Sequence, residues 1–211
     1  MAFTPLRSLH YYIIIDSDLA FNSHIKSIRK SAFYHLKNIA RIRGYMSRHD
    51  LEKLIHAFIS SRLDYCNCIF SGLTKKELGQ LQFIQNAAAR VLTRTRKVEH
   101  ITPVLKSLHW LPVSFRVDFK VLLLVYKSLN GLGPSYIADL LPRYEPARSL
   151  RSAGSGLLVV PKIKSKHGKA AFGHYAPTLW NKLPIDLRFS PTLAAFKSRL
   201  KTQLFIAAFG C

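Results

Sequence analysis

A chain of 211 residues that is 48% hydrophobic can bury a sizeable core, which excludes a disordered tail and fits one domain or two small ones. Against 11 Asp plus Glu stand 32 Lys plus Arg, a formal charge of +21 at pH 7. That imbalance is costly in self-repulsion unless a polyanion or counterions relieve it, so nucleic acid is the first expected partner and an anionic membrane surface the rival.

The opening MAFTPLRSLHYYIIIDSD sets Asp16 and Asp18 directly after a short apolar stretch, without a small-residue cleavage site, so no secretory signal is expected. Residues 9–15 (LHYYIII) are β-branched and aromatic and read as one strand. From Asn22 the period changes: Ile25, Ile28, Ala32, Leu36, Ile39 and Ile42 recur every three or four residues, predicting a long amphipathic helix that ends at Gly44. Ser47 with Asp50 predicts the start of a second helix with Leu51, Leu54, Ile55, Phe58 and Ile59 as its buried stripe. Thr74 with Glu77 repeats the signal for a third, carrying Leu78, Leu81, Ile84, Ala88 and Val91 inward.

Thr102-Pro103 opens a short helix, and Pro112 a longer one running to Asn130, where Gly131 suits a left-handed terminator. The longest apolar run in that helix, residues 121–126, lies between Lys120 and Lys127. It falls far short of the ~18–20 residues of a membrane span and reads as buried. Pro142, Pro146 and RSLRSAGSG (148–156) form a basic connector, LLVVPKIK (157–164) an edge strand or extended arm broken by Pro161, and Ser190-Pro191 begins a final helix burying Leu193, Phe196, Leu200 and Leu204. The expected fold class is mainly α: a helical bundle over 21–141 with a short N-terminal strand within 1–20, a connector at 142–156, and a smaller basic α+β segment with the final helix over 157–211.

Three basic stripes point to phosphate. Lys26, Lys30, Lys37 and Arg41 are spaced by four, seven and four, so they share one helix face while the isoleucines take another. Arg90, Arg94 and Lys97, spaced by four and three, form a second such row at the end of the third helix, and Lys197 with Lys201, spaced by four, a third on the last. Rows of this kind follow a phosphate backbone, a positioning role rather than a sequence-reading one. The whole end from 151 onward is basic, with ten Lys or Arg (151, 162, 164, 166, 169, 182, 188, 197, 199, 201) against Asp186 alone.

Catalytic and metal patterns are absent. Cys66 and Cys68 in LDYCNCIF lack two further ligands and read as buried or half-buried thiols, while three cysteines in all (Cys211 is the third) suit a reducing compartment rather than a disulfide framework. Asp16-Ser17-Asp18 reads as turn and helix cap rather than a magnesium site, and His109 in HWLP as a core or junction histidine. There is no Gly-x-Ser-x-Gly elbow and no Gly-rich loop ending in Lys-Ser or Lys-Thr. The expectation is an intracellular chain, nuclear or cytoplasmic, neither secreted nor transmembrane, with no catalytic residues, metal or cofactor.

FNSHIKSIRKSAFYHLKNIARIR (21–43), LIHAFISSRLDYCNCIFSGL (54–73), LQFIQNAAARVLTRTRKVEHITPVLKSLHWLPV (81–113) and LLVVPKIKSKHGKAAFGHYAPTLWNKLP (157–184) together resemble the region downstream of the polymerase palm in LINE-type non-LTR retrotransposon reverse transcriptases of the jockey, CR1 and L2 kind. The resemblance implies an end-of-palm strand, a helical thumb and a C-terminal segment, with fingers and palm upstream and RNA, DNA or their hybrid as partner. It carries no catalysis over, because the aromatic-x-Asp-Asp box has no counterpart and Asp16-Ser17-Asp18 has the wrong spacing. Leu9-His10-Tyr11-Tyr12 stands where the family has Leu-Gly-Val, which removes the close backbone approach that glycine permits at a primer terminus. The cysteine/histidine knuckle of some LINE lineages is also missing. The expected function is therefore non-specific backbone binding to template-primer by a non-catalytic part of an RNA-directed DNA polymerase. The alternative is a helical scaffold with no nucleic-acid role.

Overall fold

The computed structural model describes residues 12–146 and 154–210. It is mainly helical, and among the described residues there is no β-strand. The chain divides into two compact units, one formed by the described residues of Met1–Tyr65 with Gly79–Glu99, the other by Cys66–Leu78 with the described residues of His100–Cys211.

In the first unit α1 spans Asn22–Ile42 and is followed by a 3-10 turn, Arg43–Tyr45. Its residue at the cap position, Phe21, is left-handed and supplies no side-chain cap. Asp16 stands in, its Oδ2 accepting the Ser23 N–H at 3.2 Å, which places a carboxylate at the positive end of the helix dipole. Asp18 Oδ1 accepts the Ala20 N–H at 3.2 Å, so both aspartates serve the turn into α1.

Ser47 caps α2 (Arg48–Ile55) by accepting the Asp50 N–H at 3.1 Å. The helix continues through a π turn, His56–Ser60, into α3, Ser61–Asp64. Ile25, Ile28, Ala32, Leu36 and Ile39 of α1 are buried on the side that meets this segment, which buries Leu51, Ile55, Ile59 and Leu63 in turn. Each buried isoleucine or leucine of this seam contributes roughly 1.5–3 kcal/mol. The fourth helix, α4, runs Lys75–Thr93. Its start is a reciprocal capping box: Thr74 N–H donates to Glu77 Oε2 at 2.7 Å and Glu77 N–H to Thr74 Oγ1 at 3.4 Å. Phe83 of α4 packs its ring on Phe33 of α1, centroids 5.7 Å apart.

The second unit contains a 3-10 segment, Asn67–Gly72, and then α5 (Thr102–Ser107), α6 (Val113–Leu129), α7 (Ser135–Asp139), α8 (Lys166–Ala170), α9 (Phe172–Trp180), α10 (Ile185–Arg188) and α11 (Leu193–Phe209). Its centre is aromatic. Tyr126 of α6 stacks on Phe196 of α11 at 4.2 Å, Trp180 of α9 tilts against the same ring at 5.9 Å, and the Tyr126 hydroxyl donates to the Ser190 carbonyl at 2.8 Å. The arm at 157–160 is held by Asn181, whose Oδ1 accepts the Leu158 N–H at 2.9 Å and whose Nδ2 donates to the Leu158 carbonyl at 2.8 Å. Trp180 Nε1 adds a bond to the Gly156 carbonyl at 2.9 Å.

Four expectations are corrected. Of the strand at 9–15, residues 9–11 lie outside the described residues, and 12–15 carry no regular structure, because no described segment offers the ladder that a strand needs. Gly44 sits in the 3-10 turn without a left-handed φ, so it does not terminate α1 as Gly131, at φ 69°, terminates α6. The arm forms an isolated antiparallel bridge, Arg143 with Leu158, so the C-terminal segment is helical rather than α+β. The division into 21–141 and 157–211 also fails. Val121, Leu122, Val125 and Tyr126 bury more than one face of α6, and that helix needs α9 and α11 to cover it.

Asp118 of α6 accepts the Tyr175 hydroxyl of α9 at 2.5 Å in this partly buried setting. Burial pushes the Asp118 carboxyl above the ordinary carboxylate range, against smaller downward pulls from the Tyr175 hydrogen bond and the Lys182 charge. The Tyr175 phenol is pushed up as well, by burial first and then by its bond to Asp118. A carboxyl whose folded pKa is raised binds its proton more tightly when folded, so its contribution to stability falls as pH rises from 3.8 through the raised value. Tyr175→Phe removes the donor and is expected to cost about 1.5–3 kcal/mol at neutral pH. The cost should shrink as pH falls and Asp118 takes up its proton; urea titrations at several pH values giving a pH-independent loss would refute this.

Candidate nucleic-acid interface

On α1 the four expected cations, Lys26, Lys30, Lys37 and Arg41, are all exposed. At 3.6 residues per turn they fall within one narrow arc, opposite the buried Ile28, Ala32 and Ile39, and extend over about 22 Å of helix. Arg29, also exposed, borders the row and was not singled out by the spacing pattern. No acidic residue occurs between Asn22 and Ile42, and no carboxylate of the described residues pairs with any of these five groups. Lys26 with Lys30, and Lys37 with Arg41, are like charges one turn apart, each pair destabilising by roughly 0.2–0.5 kcal/mol. A row of phosphates opposite this face reverses the sign of that term. Tyr34 stands beside the row and is 65% exposed, an aromatic residue among the cations.

The second stripe is not a helix face. The helix α4 ends at Thr93, and Arg94 turns left-handed at φ 59°, so Arg94 and Lys97 lie on the following loop. Both remain exposed, as does Arg96 between them. Arg90 does something different: it is half-buried, and its guanidinium donates to the Arg96 carbonyl through Nη1 and to the Glu99 carbonyl at 2.8 Å through Nη2. These bonds satisfy carbonyls beyond a helix end that would otherwise need solvent. Glu99 closes the loop from the other side, its Oε1 accepting the Arg96 N–H at 3.0 Å. The guanidinium of Arg90, expected at a phosphate, is thus engaged with the backbone of the loop that carries Arg94, Arg96 and Lys97. Arg90→Lys keeps the charge but cannot span two carbonyls, and is expected to speed amide hydrogen exchange across residues 94–99 about as much as Arg90→Gln. Wild-type protection in the lysine variant would overturn that role.

Lys197 and Lys201 are exposed on α11, which contains no acidic residue, and belong to the second unit. Arg199 between them is tied by Nη1 to the Asp186 carbonyl at 3.3 Å. The α1 row and the 94–97 loop thus share one unit, while the α11 pair is placed on the other.

Cys66 is exposed and left-handed at φ 49°, a correction to its expected burial, whereas Cys68 is half-buried and its thiol is pushed up by burial first and by Cys66 second. Among the described residues no group of three or more His, Cys, Asp or Glu is arranged to hold a metal ion. His109 sits at the α5–α6 junction, exposed rather than in the core, at φ 53°, and stacks on Phe205 at 5.4 Å. No helix of the described residues is long and apolar enough to cross a membrane. Comparison of the chain with protein-family models, with curated proteins and with solved structures gives no match.

Proposed function

We propose that this chain binds nucleic acid through its sugar-phosphate backbone, without sequence preference and without catalysis, as the thumb and C-terminal portion of a LINE-type reverse transcriptase. The observation that supports this reading best is the unpaired cationic row on α1, set on a rigid helix whose opposite face is locked into the core. Backbone contact at fixed spacing supplies affinity that is independent of base identity, which is what a thumb behind a polymerase site requires. The exposed 94–97 loop adds three cations in the same unit, and Lys197 with Lys201 two more in the other. The partner is RNA, DNA or their hybrid, with the polymerase palm and fingers as the neighbours that the resemblance implies. No cofactor enters, and the isolated chain is expected to give no primer extension with magnesium.

The test is an anisotropy titration of the purified chain against RNA–DNA hybrids of two unrelated sequences over a salt series. Equal affinities for both, each falling linearly in log K against log salt, are expected. A strong preference for one sequence would refute the backbone mode. Absence of binding at low salt would leave the helical-scaffold reading in its place.

A further inference from the structure

The second unit carries a basic element that the row on α1 does not explain. Within KIKSKHGK, residues 162–169, Lys162, Lys164, Lys166, His167 and Lys169 are all exposed, and no acidic residue occurs between Glu145 and Asp186. Four like charges in eight residues would ordinarily spread an unpinned loop. Here the backbone is tied down instead. Ser165 Oγ accepts the Gly168 N–H at 3.1 Å, and the Lys169 N–H reaches the Ser165 carbonyl at 3.1 Å. Ile163 folds onto Gly168 so closely that a Cβ there would lie 2.4 Å from Ile163 Cγ2, which is why glycine occupies the position. Below it Ser71 Oγ donates to the Ala170 carbonyl at 3.3 Å, and Ala170 packs on Gly72, where a Cβ would come within 2.5 Å of its own. His174 Nδ1 stands 3.2 Å from the Lys169 carbonyl. The one large apolar side chain of the segment is thus half-buried while the cations are exposed.

We infer that residues 162–169 form a second phosphate-contacting surface, which holds the backbone of a nucleic-acid strand through Lys162, Lys164, Lys166 and Lys169. This rests on the reading of the chain as a nucleic-acid binder and adds a surface on the unit that α1 does not belong to. Pre-ordering of the loop matters because each lysine immobilised on binding forfeits side-chain entropy, and a backbone already fixed limits the loss to the side chains. A nucleic acid suits the surface better than a bilayer, since Ile163, the one large apolar side chain of 162–169, is half-buried against Gly168 while the exposed side chains around it are polar or cationic.

The experiment uses the full chain and an RNA–DNA hybrid, with the fourfold Lys→Gln variant at 162, 164, 166 and 169, the corresponding fourfold Lys→Arg variant, and vesicles containing phosphatidylserine as a second probe. The glutamine variant is expected to lower the slope of log affinity against log salt by roughly three units and to weaken binding by about 10²-fold or more near physiological salt, with unchanged circular dichroism; the arginine variant should keep the wild-type slope. If wild type binds the hybrid and the glutamine variant keeps its slope, this inference falls while the proposed function stands. If wild type does not bind the hybrid, the proposed function falls with it. Loss of vesicle binding with hybrid binding intact would overturn the inference in favour of a membrane surface.

Discussion

Phe196→Ala is expected to cost about 3–5 kcal/mol of stability, the range for deleting a buried aromatic ring. Phe196 is fully buried and receives two other rings, the face of Tyr126 at 4.2 Å and the tilted Trp180 at 5.9 Å. Alanine leaves a void between α6, α9 and α11, and neither neighbour is free to fill it. The Tyr126 hydroxyl is bound to the Ser190 carbonyl and the Trp180 indole to the Gly156 carbonyl, so collapse onto the void would break one of those bonds. Trp110 and Trp180 both belong to the second unit, so tryptophan fluorescence in a urea titration reports its unfolding directly. A lower midpoint at unchanged slope is the expected result. A loss under about 1 kcal/mol would mean that the three rings are not the centre of this unit.

The parts of the fold that were legible in the sequence are those that depend on neighbours within one or two turns. Ser47 with Asp50 and Thr74 with Glu77 announce helix starts because the capping bonds join residues three apart, and the α1 isoleucines announce a buried seam because their spacing matches the helical period. The failures share a cause, which is dependence on something distant. LHYYIII has strand propensity, but propensity without a partner strand builds no ladder. The helix α9 was hidden by Pro177 in its interior, since proline removes a helical donor and usually ends the pattern. The grouping of α6 with the C-terminal helices rests on the contact of Tyr126 with Phe196, seventy positions away along the chain.

The candidate site divides in the same way. Exposure of Lys26, Lys30, Lys37 and Arg41 follows from helical period alone, so the row was readable. The role of Arg90 was not, because it is fixed by where the chain travels after Thr93, and the left-handed turn at Arg94 is made by a residue type that seldom adopts it. The loop at 162–169 was visible as charge but not as a surface. Its order comes from Ile163 meeting Gly168 and from Ser71, nearly a hundred residues earlier, meeting Ala170.

Replacing Lys26, Lys30, Lys37 and Arg41 together by glutamine is expected to lower the salt slope of hybrid binding by roughly three to four units, since each lost contact with a duplex phosphate removes about 0.9 of a counterion. Near physiological salt that corresponds to a loss of roughly 10²- to 10³-fold, equal for unrelated sequences because no base edge is involved. The same change should leave the fold intact. The four side chains are exposed, none pairs with a described carboxylate, and the seam of Ile25, Ile28, Ala32, Leu36 and Ile39 is untouched. Removing the Lys26–Lys30 and Lys37–Arg41 repulsions even works in favour of α1, by a few tenths of a kcal/mol for each pair, so the melting temperature should hold or rise slightly. Falling affinity with a steady or rising melting temperature is a signature that a merely structural helix face would not give. A variant that binds as wild type does, with an unchanged slope, would make the α1 row a solvated surface and leave the chain a helical scaffold.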